Sequence, residues 1–198
     1  YKVASKTTKD WTYRWIMEPR AFRHNTWMPH FFKKGNNSSP EDLIRTEQET
    51  LAMTEYLFAK SSDYNMEKNS LRGDPANGEL LVSSLGCLGC HQIQPEPDPD
   101  YEPSLQNLRL EQGPNLIGVG SKTDKTWLFN WLKNPYTYHS GTKMPNLRLT
   151  DQEASDIASY LLLNKNDEFD ATPVPRVNQE VLNGISSDFL SQLNSSTQ

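Results

Sequence analysis

The run Cys87-Leu88-Gly89-Cys90-His91 decides how this chain is interpreted. It holds both cysteines of the 198-residue sequence, spaced by two residues, with a histidine directly after the second. Cys-x-x-Cys-His is the signature of covalent haem attachment, in which both thiols form thioethers and the histidine can bind the iron. We therefore predict one haem held by Cys87, Cys90 and His91.

Three other interpretations of the two cysteines compete with haem. A thioredoxin-like dithiol needs a preceding strand, but here a helical pattern precedes the motif and a proline-rich loop follows it. A zinc site needs two further ligands at characteristic spacing, and His24, His30 and His139 supply no second paired motif. A structural disulfide is the third. The downstream sequence favours haem over all three.

Met144 is the candidate for the second axial ligand. It stands in the polar, turn-like segment Gly141-Thr142-Lys143-Met144-Pro145 rather than on an apolar stripe, so it does not fit the pattern of a core methionine. Pro145 restricts the backbone beside it. Methionine paired with histidine is a haem ligand set of electron carriers. His139 is the alternative ligand.

The periodicity predicts helices and no convincing strand, hence an all-α fold. Pro75 fits the first position of a helix that ends near Leu85, with Leu81 and Leu85 on one face. A second helix is predicted over 123–134, with Trp127 and Trp131 four residues apart. Thr150-Asp151-Gln152-Glu153 is a capping box that opens a third helix through Leu163. Ile157, Tyr160, Leu161 and Leu163 are its expected apolar positions.

Residues 74–164 resemble a class I cytochrome c domain. The resemblance rests on the first helix with Gly78, the haem motif, Gly113-Pro114-Asn115-Leu116, the tryptophan-bearing helix, Lys143-Met144-Pro145 and the last helix with Tyr160. It implies that the first and last helices cross near Gly78 and Tyr160. It also implies that Pro114 orients the His91 imidazole and that Trp127 lies near the haem, with its indole N–H available to a propionate.

The sequence also contains an internal repeat. Residues 3–29 align without a gap to residues 119–145 at a constant offset of 116, and the identical pairs include both tryptophans and the Met-Pro. These pairs include Lys6/Lys122, Trp11/Trp127, Trp15/Trp131, Met28/Met144 and Pro29/Pro145. The match resumes at an offset of 104 from Thr46/Thr150 to Leu57/Leu161, so an insertion lies within about 31–44. Met28 is therefore predicted to be the ligand of a second haem whose attachment site lies upstream. A degenerate repeat that kept its fold and lost its haem is the alternative.

We expect four parts in the chain: an N-terminal unit that is the C-terminal half of a second cytochrome c-like domain (1–60), a linker (61–73), a central unit that is a complete domain (74–165), and a linker with a short helix (166–198). Because the N-terminal unit lacks a haem motif and the chain begins at Tyr1, we expect a segment of a longer multi-haem polypeptide. Val181–Leu193 has apolar residues at helical spacing. A connector to a further haem domain and a helix packed on the central unit both fit that tail.

Electron transfer is the predicted function, because a haem with two protein ligands leaves no open position for a substrate. Ligand binding or peroxidase activity after release of Met144 is one alternative, and a mainly structural haem subunit is another. The net charge is −5, and no basic face for nucleic acid is visible. The acidic stretch Glu96–Glu102 is either a solvated loop or a docking surface for a basic redox partner. No apolar run is long enough to span a membrane. The resemblance implies a bacterial periplasmic or extracytoplasmic location and a respiratory-type redox complex as partner.

Overall fold

A computed structural model of the protein describes residues 2–24, 26–32, 38–93 and 112–195. Helices are the regular elements of these ranges, and no strand occurs within them, so the all-α fold class is confirmed. The helices are α1 (Lys9–Met17), α2 (Pro19–Phe22), α3 (Pro40–Ala59), α4 (Pro75–Ser84), α5 (Val119–Lys122), α6 (Lys125–Lys133), α7 (Pro135–Tyr138), α8 (Asp151–Leu161), α9 (Asp167–Ala171) and α10 (Gln179–Ser195). Two 3-10 turns cover Val3–Ser5 and Cys87–Gly89. The acidic stretch 96–102 lies outside the described residues.

Helices α4 and α8 cross in close contact and form the frame of the central unit. Asp74 caps α4 by accepting from the Ala76 N–H, and Pro75 occupies the first turn. A Cβ at Gly78 would collide with the backbone of Asp156, so only glycine permits this approach. The Asp156 carboxylate accepts from the Asp74 N–H (2.8 Å) and from Asn77 Nδ2 (2.7 Å), which ties the two helices together.

The predicted boundaries differ from the observed ones by about two residues. Helix α6 starts at Lys125 rather than Thr123, because Asp124 is its N-cap and accepts from the Trp127 N–H. The Thr150 capping box opens α8 as predicted, with Thr150 and Glu153 bonding each other's backbone N–H. Helix α8 ends at Leu161. Leu163 therefore lies beyond the helix and is 67% exposed, so its assignment to the apolar face is wrong.

The core of the central unit is built mainly from α6 and α8. Its buried side chains include Phe129, Leu132, Ile157 and Leu161, which are between 1% and 5% exposed. From α4, Val82 joins this core at 2% exposure, whereas Leu85 is 39% exposed. The predicted apolar face of α4, with Leu81 and Leu85, therefore did not include Val82, the most buried apolar side chain of this helix.

The N-terminal unit has the same local helices at the same offset. Helices α1 and α2 begin and end 116 residues before α6 and α7. In both units the first of these helices is capped by a side chain, Thr8 or Asp124, that accepts from the tryptophan N–H three residues on. That this unit is half of a cytochrome c-like domain stays a prediction.

The aromatic clusters of the two units have almost the same geometry. Trp11 and Trp15 stack with ring centroids 5.2 Å apart and a 13° interplanar angle, and Trp127 and Trp131 stack at 5.3 Å and 15°. At the aligned third position, Phe22 meets Trp11 edge-on at 5.2 Å and Tyr138 meets Trp127 edge-on at 5.2 Å. The shared sequence pattern thus produces the same local packing twice.

Residues that follow the central unit pack back onto the N-terminal unit. The sequence analysis predicted a linker with one short helix over 166–198 and missed α9, whose Phe169 is 2% exposed and packs on Trp11 and Phe22. The Arg14 guanidinium donates to the Thr172 carbonyl (2.7 Å), and Arg45 pairs with Asp188 of α10 (2.8 Å). Helix α10 begins two residues before the predicted helix at 181–193 and contacts α3.

Among the described residues, no helix is both long enough and apolar enough to cross a bilayer.

Candidate haem site

One cavity, lined mainly by the central unit, brings the predicted haem residues together. Its volume is about 460 Å³, and its walls include Cys87, Cys90, His91 and Met144. Apolar side chains from α4, α6 and α8 complete it: Val82, Leu128, Leu132, Ile157 and Leu161. A largely apolar cavity of a few hundred Å³ with a few polar groups is typical of a cofactor site.

Cys87 begins the 3-10 turn that follows α4, and Cys90 comes directly after that turn. Cys87 is half-buried and Cys90 is exposed, and the two thiols are not joined in a disulfide. Burial raises the pKa of the Cys87 thiol above its ordinary value. Within the described ranges no group of three His, Cys, Asp or Glu side chains could hold a metal ion.

The Pro114 carbonyl orients the His91 imidazole. His91 Nδ1 lies 2.7 Å from the Pro114 oxygen, and since a carbonyl only accepts, Nδ1 carries the hydrogen. The other ring nitrogen, Nε2, is then free to bind iron. A Cβ at Gly113 would lie 2.5 Å from the same ring, so glycine is required there for the imidazole to fit.

Met144 is half-buried and lines the cavity that His91 also lines. Its backbone N–H donates to Thr142 Oγ1 (3.2 Å), and the Trp131 indole N–H donates to its sulfur (2.9 Å). Sequence reasoning did not find the Trp131 contact, because thirteen residues and a turn separate the two side chains. His139 also lines the cavity, but it is exposed.

Trp127 supplies a polar atom that fits a haem carboxylate. Its side chain is 4% exposed and lines the cavity. Its Nε1 is buried without an acceptor among the described residues. A buried donor without a partner is uncommon in proteins, and a haem propionate would accept from it. The residues around the cavity therefore fit a haem.

Positive charge gathers at the same cavity. Lys6, Arg23 and Lys122 line it, and Arg23 Nη2 donates to the Asn115 carbonyl (2.9 Å). Burial, with a smaller contribution from Arg23, lowers the pKa of Lys6 to about 8. Burial, with repulsion from Lys6 and Arg23, lowers the pKa of Lys122 to about 7. These shifts show that the site disfavours its own cations and would be stabilised by an anion.

Residues 75–165 match the family model of cytochrome c. This part of the chain is a cytochrome c domain. The match begins at the first residue of α4, includes the haem motif, and runs four residues past the end of α8. The cytochrome c domain therefore coincides with the central unit. Neither a comparison with curated proteins nor one with solved structures gives a match.

The N-terminal unit lies outside the cytochrome c match, yet its turn before Met28 has the same form. The Met28 N–H donates to Thr26 Oγ1 at 3.2 Å, as the Met144 N–H does to Thr142. Met28 is half-buried, and it does not line the cavity of the cytochrome c domain. The indole Nε1 of Trp11, like that of Trp127, is buried without an acceptor among the described residues.

Proposed function

We propose that this protein is a one-electron carrier in which Cys87 and Cys90 hold a haem and His91 and Met144 bind its iron. The observation that carries the proposal is the single cavity lined by all four side chains. A haem bound there supplies a one-electron iron couple whose potential depends on ligands, burial and nearby charge. Two axial protein ligands leave no position for a substrate, so the expected role is transfer rather than catalysis.

The surrounding residues hold the two ligands in place. The Pro114 carbonyl keeps the His91 tautomer that presents Nε2. The Trp131 N–H orients the Met144 thioether and leaves its second lone pair for iron. Trp127 supplies a hydrogen bond for a haem carboxylate. Because these groups belong to packed helices or to turns fixed by proline, the ligands need little movement when the iron changes charge.

We further infer that the N-terminal unit bears the distal ligand of a second haem, with Met28 in the role of Met144. The equal turns, the equal aromatic stacks and the buried Trp11 indole support this inference. The haem would be attached by a segment outside this sequence, and two haems in one chain would form a relay. We place this relay in a periplasmic or otherwise extracytoplasmic redox complex of the respiratory type, where proteins with attached haem commonly work.

The matched pair Met144→Ala and Met28→Ala tests the ligand assignment. In Met144→Ala we expect loss of the absorption band of methionine-bound ferric iron. We also expect the reduction potential to fall by roughly 0.1–0.3 V, a fraction of the ~0.8 V that axial ligands span. Met28→Ala should leave the haem at Cys87 unchanged, and His139→Ala should do the same.

Intact mass under denaturing conditions counts the haems. A protein with no covalently bound haem contradicts the proposed function. An unchanged spectrum in Met144→Ala contradicts the methionine ligand, and carbon monoxide binding to the reduced wild type would favour a ligand-binding role instead. A mass with a single haem in the complete protein contradicts the second site.

A further inference from the structure

Two lysines at equivalent positions of the repeat each reach from their own unit to a tryptophan of the other unit. Lys6 of the N-terminal unit lies over the Trp127 ring of the cytochrome c domain, with Nζ 4.4 Å from the ring centroid. Lys122 of the cytochrome c domain lies over the Trp11 ring of the N-terminal unit, at 5.0 Å. Lys6 and Lys122 occupy equivalent places in the repeat, as do Trp11 and Trp127. The contact is therefore reciprocal.

The crossing brings Lys6 to the wall of the haem cavity. The side chain lines that cavity together with Arg23, also from the N-terminal unit, and Lys122. The cavity is thus bounded by both units, although the haem motif and both predicted iron ligands come from the cytochrome c domain alone.

The two lysines bring positive charge that no carboxylate of the described ranges pairs with. None of the ion pairs formed by the described residues includes Lys6 or Lys122. By contrast, Lys9, three residues after Lys6, pairs with Glu55 (2.6 Å) at the surface. A half-buried ammonium without a counter-charge is costly unless a ligand supplies one.

An unpaired donor lies under the same ammonium. The Trp127 indole N–H is buried without an acceptor among the described residues, and Lys6 Nζ is within cation–π range of that indole. A carboxylate between them would accept from the indole and pair with the ammonium. In a haem cavity, the propionates are the carboxylates that can do this.

We propose that the two units exchange lysines, so that Lys6 of the N-terminal unit completes the propionate side of the haem site in the cytochrome c domain. Lys122 occupies the matching position on the Trp11 side. This inference rests on the proposed function, because it requires a haem in the cavity. It makes the N-terminal unit part of the site that sets the haem potential.

The potential of the haem-loaded protein tests the exchange. Removing a positive charge near the haem favours the ferric state, which carries one more positive charge than the ferrous state. In Lys6→Gln we expect the reduction equilibrium constant to fall about tenfold, which is about 59 mV for a one-electron couple. In the matched control Lys9→Gln, which removes the same charge from the surface of the same unit, we expect less than about a twofold change.

Two further variants separate charge from packing. Lys6→Met keeps an unbranched apolar stem on Trp127, and it should lower the potential as Lys6→Gln does. Lys6→Arg keeps the charge and should stay near the wild type. Equal potentials in Lys6→Met and Lys9→Gln, with the methionine–iron band intact, would overturn the lysine exchange and leave the proposed function standing. A wild-type protein without haem would contradict both.

Discussion

The last helix of the cytochrome c domain and its counterpart in the N-terminal unit share a sequence pattern but differ in burial. Ile157 and Leu161 of α8 are 1% and 3% exposed, whereas Met53 and Leu57, at the aligned positions of α3, are 38% and 40% exposed. Helix α8 is covered by α4 and faces the haem cavity. No described residue of the N-terminal unit forms a helix equivalent to α4. The shared sequence pattern therefore produces a helix in both units, but its apolar side chains are buried only where another helix packs on them.

The aromatic clusters, in contrast, have nearly the same geometry in both units. Trp11, Trp15 and Phe22 pack with the same centroid distances and nearly the same angles as Trp127, Trp131 and Tyr138. Each set lies within a stretch of twelve residues, so the packing depends on local helix geometry and the short turn between two helices. From outside its own segment each cluster is joined by one aromatic ring, Phe169 or Tyr64, and by a lysine of the other unit.

The largest difference between the units should appear when the aligned leucines are truncated. Leu161→Ala should lower the free energy of unfolding by about 2–5 kcal/mol, because it leaves a cavity in a fully buried site. Leu57→Ala should cost less than about 1 kcal/mol, since its side chain is already partly in water. Denaturant unfolding of both variants measures the two changes in the free energy of unfolding.

The same leucines also test the inferred second haem. If a segment outside this sequence covers α3 in the complete protein, Leu57→Ala should cost as much there as Leu161→Ala. Equal small costs at both positions would contradict the burial of α8.

The helix crossing gives the next largest effect. Gly78→Ala should destabilise the protein by about 1–3 kcal/mol, because the new Cβ would overlap the Asp156 backbone and force α4 away from α8. Gly184 of α10 has open space around the same atom. Gly184→Ala should therefore stabilise by about 0.5–1 kcal/mol through helix propensity. Thermal unfolding of both variants would show opposite shifts, and shifts of the same sign would contradict the crossing.

A pH-dependent effect concerns the buried carboxylate at Asp156, whose aligned position in the N-terminal unit holds no carboxylate. Burial by itself would raise the pKa of Asp156, but hydrogen bonds from the Asp74 N–H, Asn77 and Gln152 hold that pKa below its ordinary value. A lowered folded-state pKa stabilises above the unfolded value and is lost as the pH falls through the folded one. Stability should therefore drop below about pH 4.

Asp156→Asn checks this directly. The variant should unfold roughly 3–10 °C lower at pH 7, because charged hydrogen bonds are lost, and it should lose less on acidification than the wild type. Asp63→Asn, an exposed control, should follow the wild-type pH dependence. The aligned position in the N-terminal unit is Ala52, which is exposed and carries no charge. A parallel pH profile in Asp156→Asn would show that this carboxylate does not link the helices.

The sequence by itself determined the features that depend on near neighbours along the chain. The haem motif, the Thr150 capping box and the tryptophan pairs are short-range patterns, the repeat presents such patterns twice, and the predicted helices of the central unit match the observed ones within about two residues. The all-α class and the cytochrome c domain of residues 75–165 follow from the same patterns. Physically, these features arise from backbone hydrogen bonds and side chains three or four residues apart.

Only the tertiary structure decided which side chains from distant segments meet. No periodicity reveals that Trp131 donates to Met144, that Gly113 lies against His91, or that Phe169 returns to cover Trp11. The crossing of Lys6 and Lys122 is of the same kind, since it depends on how two units dock. Such contacts form when whole surfaces pack together. Burial and charge compensation then involve groups that are far apart in the sequence, so no local pattern reveals them.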